Sequence, residues 1–323
     1  MKKEFRFILT SIFLFVLTTL TFSASADSRF DYNPNYKVLK WQKMNRNVCK
    51  KHRIPKSGGR GKCDKYTKFE GVLESPFNTS SGTIRTKLMF YQSIKKGPRP
   101  LIVILPTLEG TTLVETSLAT YAAKRGYHAV IAKLSENIGD LKRPITDIDG
   151  FLVRATVQAR LTIDHIMSLG VVNPKEVGAF GASLGGIRLF TLMGVDSRIK
   201  SGSSYVGGVS IADILADSEQ DLVKDYRNHK MKQLGLTDRE AYRKALKEVM
   251  TVDPLDNIGM INPDTIQLKI SKKDTSVHTK YQYMARDAIG TPHVEYTDKD
   301  HLGTVVSAYF SKKKIIKFLE RAW

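Results

Sequence analysis

Ser183 sits in the run Gly181-Ala182-Ser183-Leu184-Gly185, a G-x-S-x-G pattern that puts a serine hydroxyl at the tip of a strand-to-helix turn. The backbone at such a tip is strained, so the residues two before and two after the serine must be small for strand and helix to approach closely. Ala182 and Gly186 keep the neighbourhood small as well. The helix that follows aims its first amides at whatever Ser183 attacks, which suits a developing oxyanion. The plainer reading is a glycine-rich turn carrying a surface serine. A serine alcohol is a poor nucleophile near neutral pH; it needs a base to accept its proton and a carboxylate to orient that base. Asp274, in Lys273-Asp274-Thr275-Ser276-Val277, and His301, in Asp298-Lys299-Asp300-His301-Leu302-Gly303, follow Ser183 in the chain and are the candidates.

For these three side chains to meet, the segments that carry them must end at one edge of one sheet. Residues 69–75 and 84–91 alternate around a turn at 78–82, which predicts an antiparallel hairpin. Pro100 introduces residues 101–105, a continuous apolar run expected of a strand buried on both faces. Thr111 or Thr112 caps a helix running to Lys124 and stopped by Gly126. Residues 127–133 form the next strand, and residues 151–169 a helix stopped by Gly170. Residues 177–180 lead into the serine turn, and residues 199–206 form the strand after its helix. Residues 265–270, 277–289, 293–296 and 305–319 then read as strand, helix, strand, helix. The rhythm predicts an α/β fold with a mostly parallel central sheet flanked by helices. Asp274 and His301 therefore leave the carboxyl ends of strands, His301 from a loop. Between the serine helix and Asp274, residues 208–262 hold helical stretches at 222–234 and 238–249 and no convincing strand. That helical insertion either covers the carboxyl edge as a lid, where sites of open α/β sheets lie, or only packs at the periphery.

The order serine, aspartate, histidine with these flanks resembles the α/β-hydrolase family, of the exported bacterial serine esterase and lipase kind, over roughly residues 70–323. The resemblance implies that Ser183 is the nucleophile, His301 the general base and later acid, and Asp274 the orienting acid. It implies an oxyanion hole made by the backbone N–H of Leu184 and one from the loop after residues 101–105, where Leu108 takes the donor position. That loop departs from the family's usual His-Gly opening: Pro106 stands for the histidine and Thr107 for the glycine. Glu109 beside it would oppose an oxyanion unless it points to solvent or to a lysine. Asp213 is an alternative acid, since some members take theirs from the preceding strand. The implied activity is carboxylic ester hydrolysis through an acyl-enzyme, with a small-molecule or lipid ester as substrate. Amide cleavage and acyl transfer would use the same site. The competing reading is a non-catalytic protein of this fold that binds anionic envelope polymers.

The rest of the chain gives the address. Met1-Lys2-Lys3 and Arg6 make a basic start, residues 7–22 are apolar, and Ala24-Ser25-Ala26 is a small-residue cleavage site, so residues 1–26 read as a signal peptide rather than an anchor. Export places the mature chain in the periplasm or outside the cell. The 323 residues, 41% hydrophobic, suffice for one large core, with residues 69–323 as a single domain. Lys and Arg exceed Asp and Glu to give +19, of which the signal segment holds three bases and one acid, leaving +17. Such a balance suits anionic envelope polymers or a membrane surface, or is solvated charge.

Residues 27–68 read as an irregular basic arm that contains both cysteines. Cys49 and Cys63 are close in the chain and predict a disulfide, worth about 3 kcal/mol by loop closure. A zinc site through Cys49, His52 and Cys63 is the sharper alternative but lacks an obvious fourth ligand. No H-E-x-x-H occurs and the basic stretches lack interleaved aromatics, so neither a metal or other cofactor nor a nucleic-acid partner is expected. His128, His165 and His293 are expected to be structural, and His278 to lie on a helix surface or behind Asp274.

Overall fold

The structure is a computed structural model and describes residues 27–44, 66–76 and 82–323. Its elements run β1 (Lys37–Lys43), β2 (Tyr66–Pro76), β3 (Thr83–Ser93), β4 (Arg99–Leu105), α1 (Leu113–Arg125), β5 (His128–Ala132), α2 (Ile148–Ser168), β6 (Val172–Ala182), α3 (Leu184–Val195) and β7 (Ser201–Tyr205). After β7 come α4 (Ile211–Asp217), α5 (Asp221–Leu234), α6 (Arg239–Val249), α7 (Leu255–Ile258), β8 (Ile266–Ser271), α8 (Thr279–Ile289), β9 (His293–Thr297) and α9 (His301–Leu319).

All nine strands form one sheet in the order β1-β2-β3-β5-β4-β6-β7-β8-β9. From β5 to β9 every neighbouring pair is parallel, whereas β1, β2 and β3 make an antiparallel flank that joins through β5. The expected hairpin, parallel rhythm and helical insertion are all present. The apolar run in β4 is buried on both faces: Leu101, Val103 and Leu105 pack with α2 and α3, and Ile102 and Ile104 with α1 and α9. A strand with both faces covered by helices reads as continuous rather than alternating hydrophobicity.

Two expectations are corrected. Residues 37–43, read as part of an irregular arm, form β1, which pairs antiparallel with β2. Its side chains are mostly exposed, and what holds it is Trp41, stacked on Phe69 at 5.2 Å and meeting the His165 ring edge-on at 4.6 Å. The last helix begins at His301 rather than near 305, because Asp300 caps it by accepting from Gly303 N at 2.8 Å. The cysteine pair, the zinc alternative and the signal segment lie outside the described residues.

Candidate active site

The strand β6 ends at Ala182 and α3 begins at Leu184, so the whole reversal falls on Ser183, whose backbone is held at φ 55° and ψ −125°. A non-glycine residue there costs about 1–3 kcal/mol, which the surroundings must supply. Ser183 N donates to Tyr205 O on β7 at 2.9 Å, and Ile187 N donates to Ser183 O at 3.0 Å. Two glycines make the turn sterically feasible. A Cβ on Gly181 would lie 2.1 Å from Gly185 O, and one on Gly185 would lie 2.2 Å from Leu105 O. The amides of the first turn of α3 have no partner within their own helix, so Leu184 N–H is placed to receive an acceptor from outside it.

His301, first in α9, brings Nε2 to 2.9 Å from Ser183 Oγ. Its Nδ1 lies 2.7 Å from Asp274 Oδ2. Asp274 is buried in the turn between β8 and α8, where Oδ1 accepts from Ser276 N at 2.8 Å and Val277 N at 2.9 Å. These two bonds fix the direction in which the carboxylate faces His301. The three candidates from the sequence are thus joined in one continuous chain of hydrogen bonds.

The other candidates fall elsewhere. Asp213, the alternative acid, is bound to Arg243 at 3.0 Å and to Lys247 at 2.9 Å. Burial works against its charge, but the Ser210 hydroxyl and these cations hold its carboxyl below the usual range. His278 hydrogen-bonds the carbonyl of Asp217 at the end of α4, at 3.1 Å, and so ties the start of α8 to the insertion. His128 and His165 are buried structural residues, while His293 stands exposed on the edge strand with its ring 5.2 Å from Phe318. Gln282 had no sequence signal: from the buried face of α8 it donates to Asp274 Oδ2 at 2.9 Å.

Leu108 lies in a tight turn closed by Gly110 N donating to Thr107 O at 3.0 Å. Glu109 at its tip is exposed, which removes the conflict between its charge and an oxyanion. The Leu108 side chain is buried and, with Leu184, Ile187 and Ser183, lines a cavity of about 40 Å³. The insertion supplies the opposite wall through Ile211, Ile214 and Leu215 of α4 and Val223 of α5. Among the described residues no group of three or more His, Cys, Asp or Glu side chains is placed to hold a metal ion.

No family model matches the sequence, and no curated protein matches it either. Solved structures do match in shape. The acetyl xylan esterase from Paenibacillus sp. R4 is 12% identical, with a TM-score of 0.64 over 90% of this chain and 89% of its own. Acetyl xylan esterase 1 from Thermoanaerobacterium sp. JW/SL YS485 is also 12% identical, with a TM-score of 0.64 over 87% of this chain and 92% of its own. The α/β hydrolase GrgF from Penicillium sp. sh18 is 15% identical, with a TM-score of 0.54 over 78% of this chain and 98% of its own. Likeness at such identities is likeness of fold, and the fold is that of the α/β hydrolases.

Proposed function

We propose that the chain is a serine hydrolase that cleaves carboxylic esters of small acyl groups through an acyl-enzyme. The observation that carries this reading is the hydrogen-bonded line from Asp274 through His301 to a strained Ser183. Ser183 Oγ attacks the acyl carbon while its proton passes to His301 Nε2, and the carbonyl becomes an alkoxide facing the N–H groups of Leu184 and Leu108. Collapse breaks the ester C–O bond, and His301 returns the proton to the departing alcohol. Water then repeats the sequence on the acyl-serine, releasing the acid and restoring Ser183. Asp274 orients the imidazole throughout and stabilises the imidazolium.

The size of the acyl group follows from the cavity. One water needs roughly 10–15 Å³ of such space, so about 40 Å³ beside Ser183 suits two to four heavy atoms. The acetyl esterases among the neighbours agree with that size. Export belongs to the same proposal and is supported by the basic start, the apolar run 7–22 and the Ala24-Ser25-Ala26 site of the sequence.

The test is labelling by a fluorophosphonate together with turnover of nitrophenyl acetate. Wild type should show both, and Ser183→Ala should lose labelling and about 10⁶ in kcat. A wild-type chain that neither labels nor hydrolyses any short ester would defeat the proposal.

A further inference from the structure

Among the described residues, one face of α9 is largely open to solvent. Leu302, Val306, Phe310, Lys314, Lys317 and Arg321 follow one another at steps of three or four residues, so they form a single stripe along the helix and the short turn after it. Its first half is apolar and open to solvent: Leu302 is 66% exposed, Val306 43% and Phe310 78%. Its second half is cationic. Lys312 pins α9 alongside α1 through Ser117 at 2.7 Å. Leu113, one turn before Ser117 at the start of α1, is 80% exposed as well.

The cationic half borders a cavity of about 320 Å³ between α9 and the β8–β9 edge, lined by Lys314, Lys317 and Arg321 together with Lys269 and His293. The acid in its wall, Glu295, is already paired with Lys269 at 2.9 Å. Apolar residues clustered this way on a folded surface mark an interaction site. Here they begin beside His301 and run about 12 Å down the helix.

We infer that this stripe docks the protein on an anionic lipid bilayer, with Leu302, Val306 and Phe310 entering the headgroup boundary and Lys314, Lys317 and Arg321 facing the anionic headgroups. Charge selects the occupant. A second copy would bring two cationic stripes and two mature chains of +17 together, whereas an anionic surface neutralises them. A purely polyanionic polymer would use the cations and leave the apolar half without a role. Among the described residues no helix is long and apolar enough to cross a membrane, and the attachment proposed is of a helix face to the membrane surface. Docking would turn the rim that carries His301 toward molecules held at the membrane. The inference does not rest on the esterase reading.

The experiment is co-sedimentation of the mature chain, from Asp27 on, with vesicles of phosphatidylcholine alone and of phosphatidylcholine mixed with phosphatidylglycerol. Wild type should pellet with the mixed vesicles only. Lys314→Ala combined with Lys317→Ala should weaken that binding about twenty-fivefold, each lysine near an anionic surface being worth about fivefold. Val306→Ser combined with Phe310→Ser should weaken it about tenfold or more while leaving nitrophenyl acetate hydrolysis at the wild-type level, which also reports a folded chain. In Phe310→Trp, the fluorescence of the introduced indole should shift to the blue when mixed vesicles are added. Equal pelleting with both vesicle types, a Val306 and Phe310 double variant that binds like wild type, or an unmoved emission from the Phe310→Trp variant would each overturn the inference. So would a dimer in sedimentation velocity that the same double substitution abolishes, since the stripe would then belong to a second copy.

Discussion

Gln282 donates its side-chain amide to Asp274 Oδ2, the oxygen that also meets His301 Nδ1. The same amide group reaches Val277 O at 2.7 Å, and Gln282 Oε1 accepts from Ser271 N at 3.0 Å. With two backbone amides on Oδ1, every side of the carboxylate is held. Rotation of Asp274 would therefore break several hydrogen bonds at once. His301 inherits that fixed direction, and Ser183 inherits it from His301.

Replacing Gln282 by Leu keeps the volume and removes the clamp. Activity on a short ester should fall about tenfold in kcat with KM unchanged, because only the aim of the imidazole is loosened. Stability should fall by about 1–3 kcal/mol from the unsatisfied Ser271 N–H and Val277 carbonyl. Asp274→Asn should cost far more, about 10⁴ in kcat, since it also removes the charge beside the imidazolium. Equal losses in the two variants would mean that Gln282 does more than hold Asp274.

Gly185 faces a harder limit. Any side chain there begins 2.2 Å from Leu105 O, which is backbone of the central sheet and cannot swing aside. Gly185→Ala should therefore move α3 away from β4 or fail to fold, and lower stability by at least about 2–3 kcal/mol. A drop in thermal midpoint accompanied by lost fluorophosphonate labelling checks it. A variant with wild-type stability and labelling would show that the approach of helix to strand is looser than the geometry implies.

These cases also show what the chain discloses before it is folded. Ser183, Asp274 and His301 could be found because each follows the carboxyl end of a strand, and strand ends are set by local hydrophobic patterns that a sequence displays. The helix start at His301 had a local signal too, in Asp300 and its bond to Gly303 N, although the apolar spacing further along drew the boundary to residue 305. Gln282 offered no such signal, because an amide on the buried face of a helix looks like any polar residue until the fold sets a carboxylate beside it. Likewise β1 is fastened by Trp41 to Phe69 and His165, the latter more than a hundred residues away. Long-range stacking leaves no periodic trace in the strand it stabilises.

The wall supplied by the insertion should set the acyl length. Ile214 and Leu215 close a cavity of about 40 Å³ next to Ser183, so esters of acetic and propionic acid should be preferred. Each further methylene should cost about 10-fold or more in kcat/KM. Ile214→Ala and Leu215→Ala enlarge the space, and their optimum should move to butyrate or beyond while acetate is cleaved more slowly. A chain-length series of nitrophenyl esters reads this directly. An unchanged profile in both variants would place the acyl group outside this cavity.

Acid should weaken the fold through His128. Burial between β3 and the end of α2 pushes its imidazole down to about 4, against about 6.5 in an unfolded chain. Its Nδ1 accepts from Ser93 N at 3.1 Å, leaving Nε2 as the donor to Val171 O. The neutral ring fits this arrangement, and a second proton on Nδ1 would oppose the Ser93 N–H. Between these two values the unfolded chain binds more protons than the folded one, so unfolding free energy rises with pH across that window and is level above it as far as this residue is concerned. The loss on going down to pH 4 is about 3 kcal/mol. In His128→Gln, urea midpoints measured from pH 4 to 7 should show a shallower slope than wild type, whatever the variant's stability at pH 7. Parallel slopes would mean that His128 gains its proton in the folded chain as easily as in the unfolded one, and that the acid sensitivity lies with carboxylates such as Asp196 and Asp217, both held below their usual range by neighbouring cations despite burial.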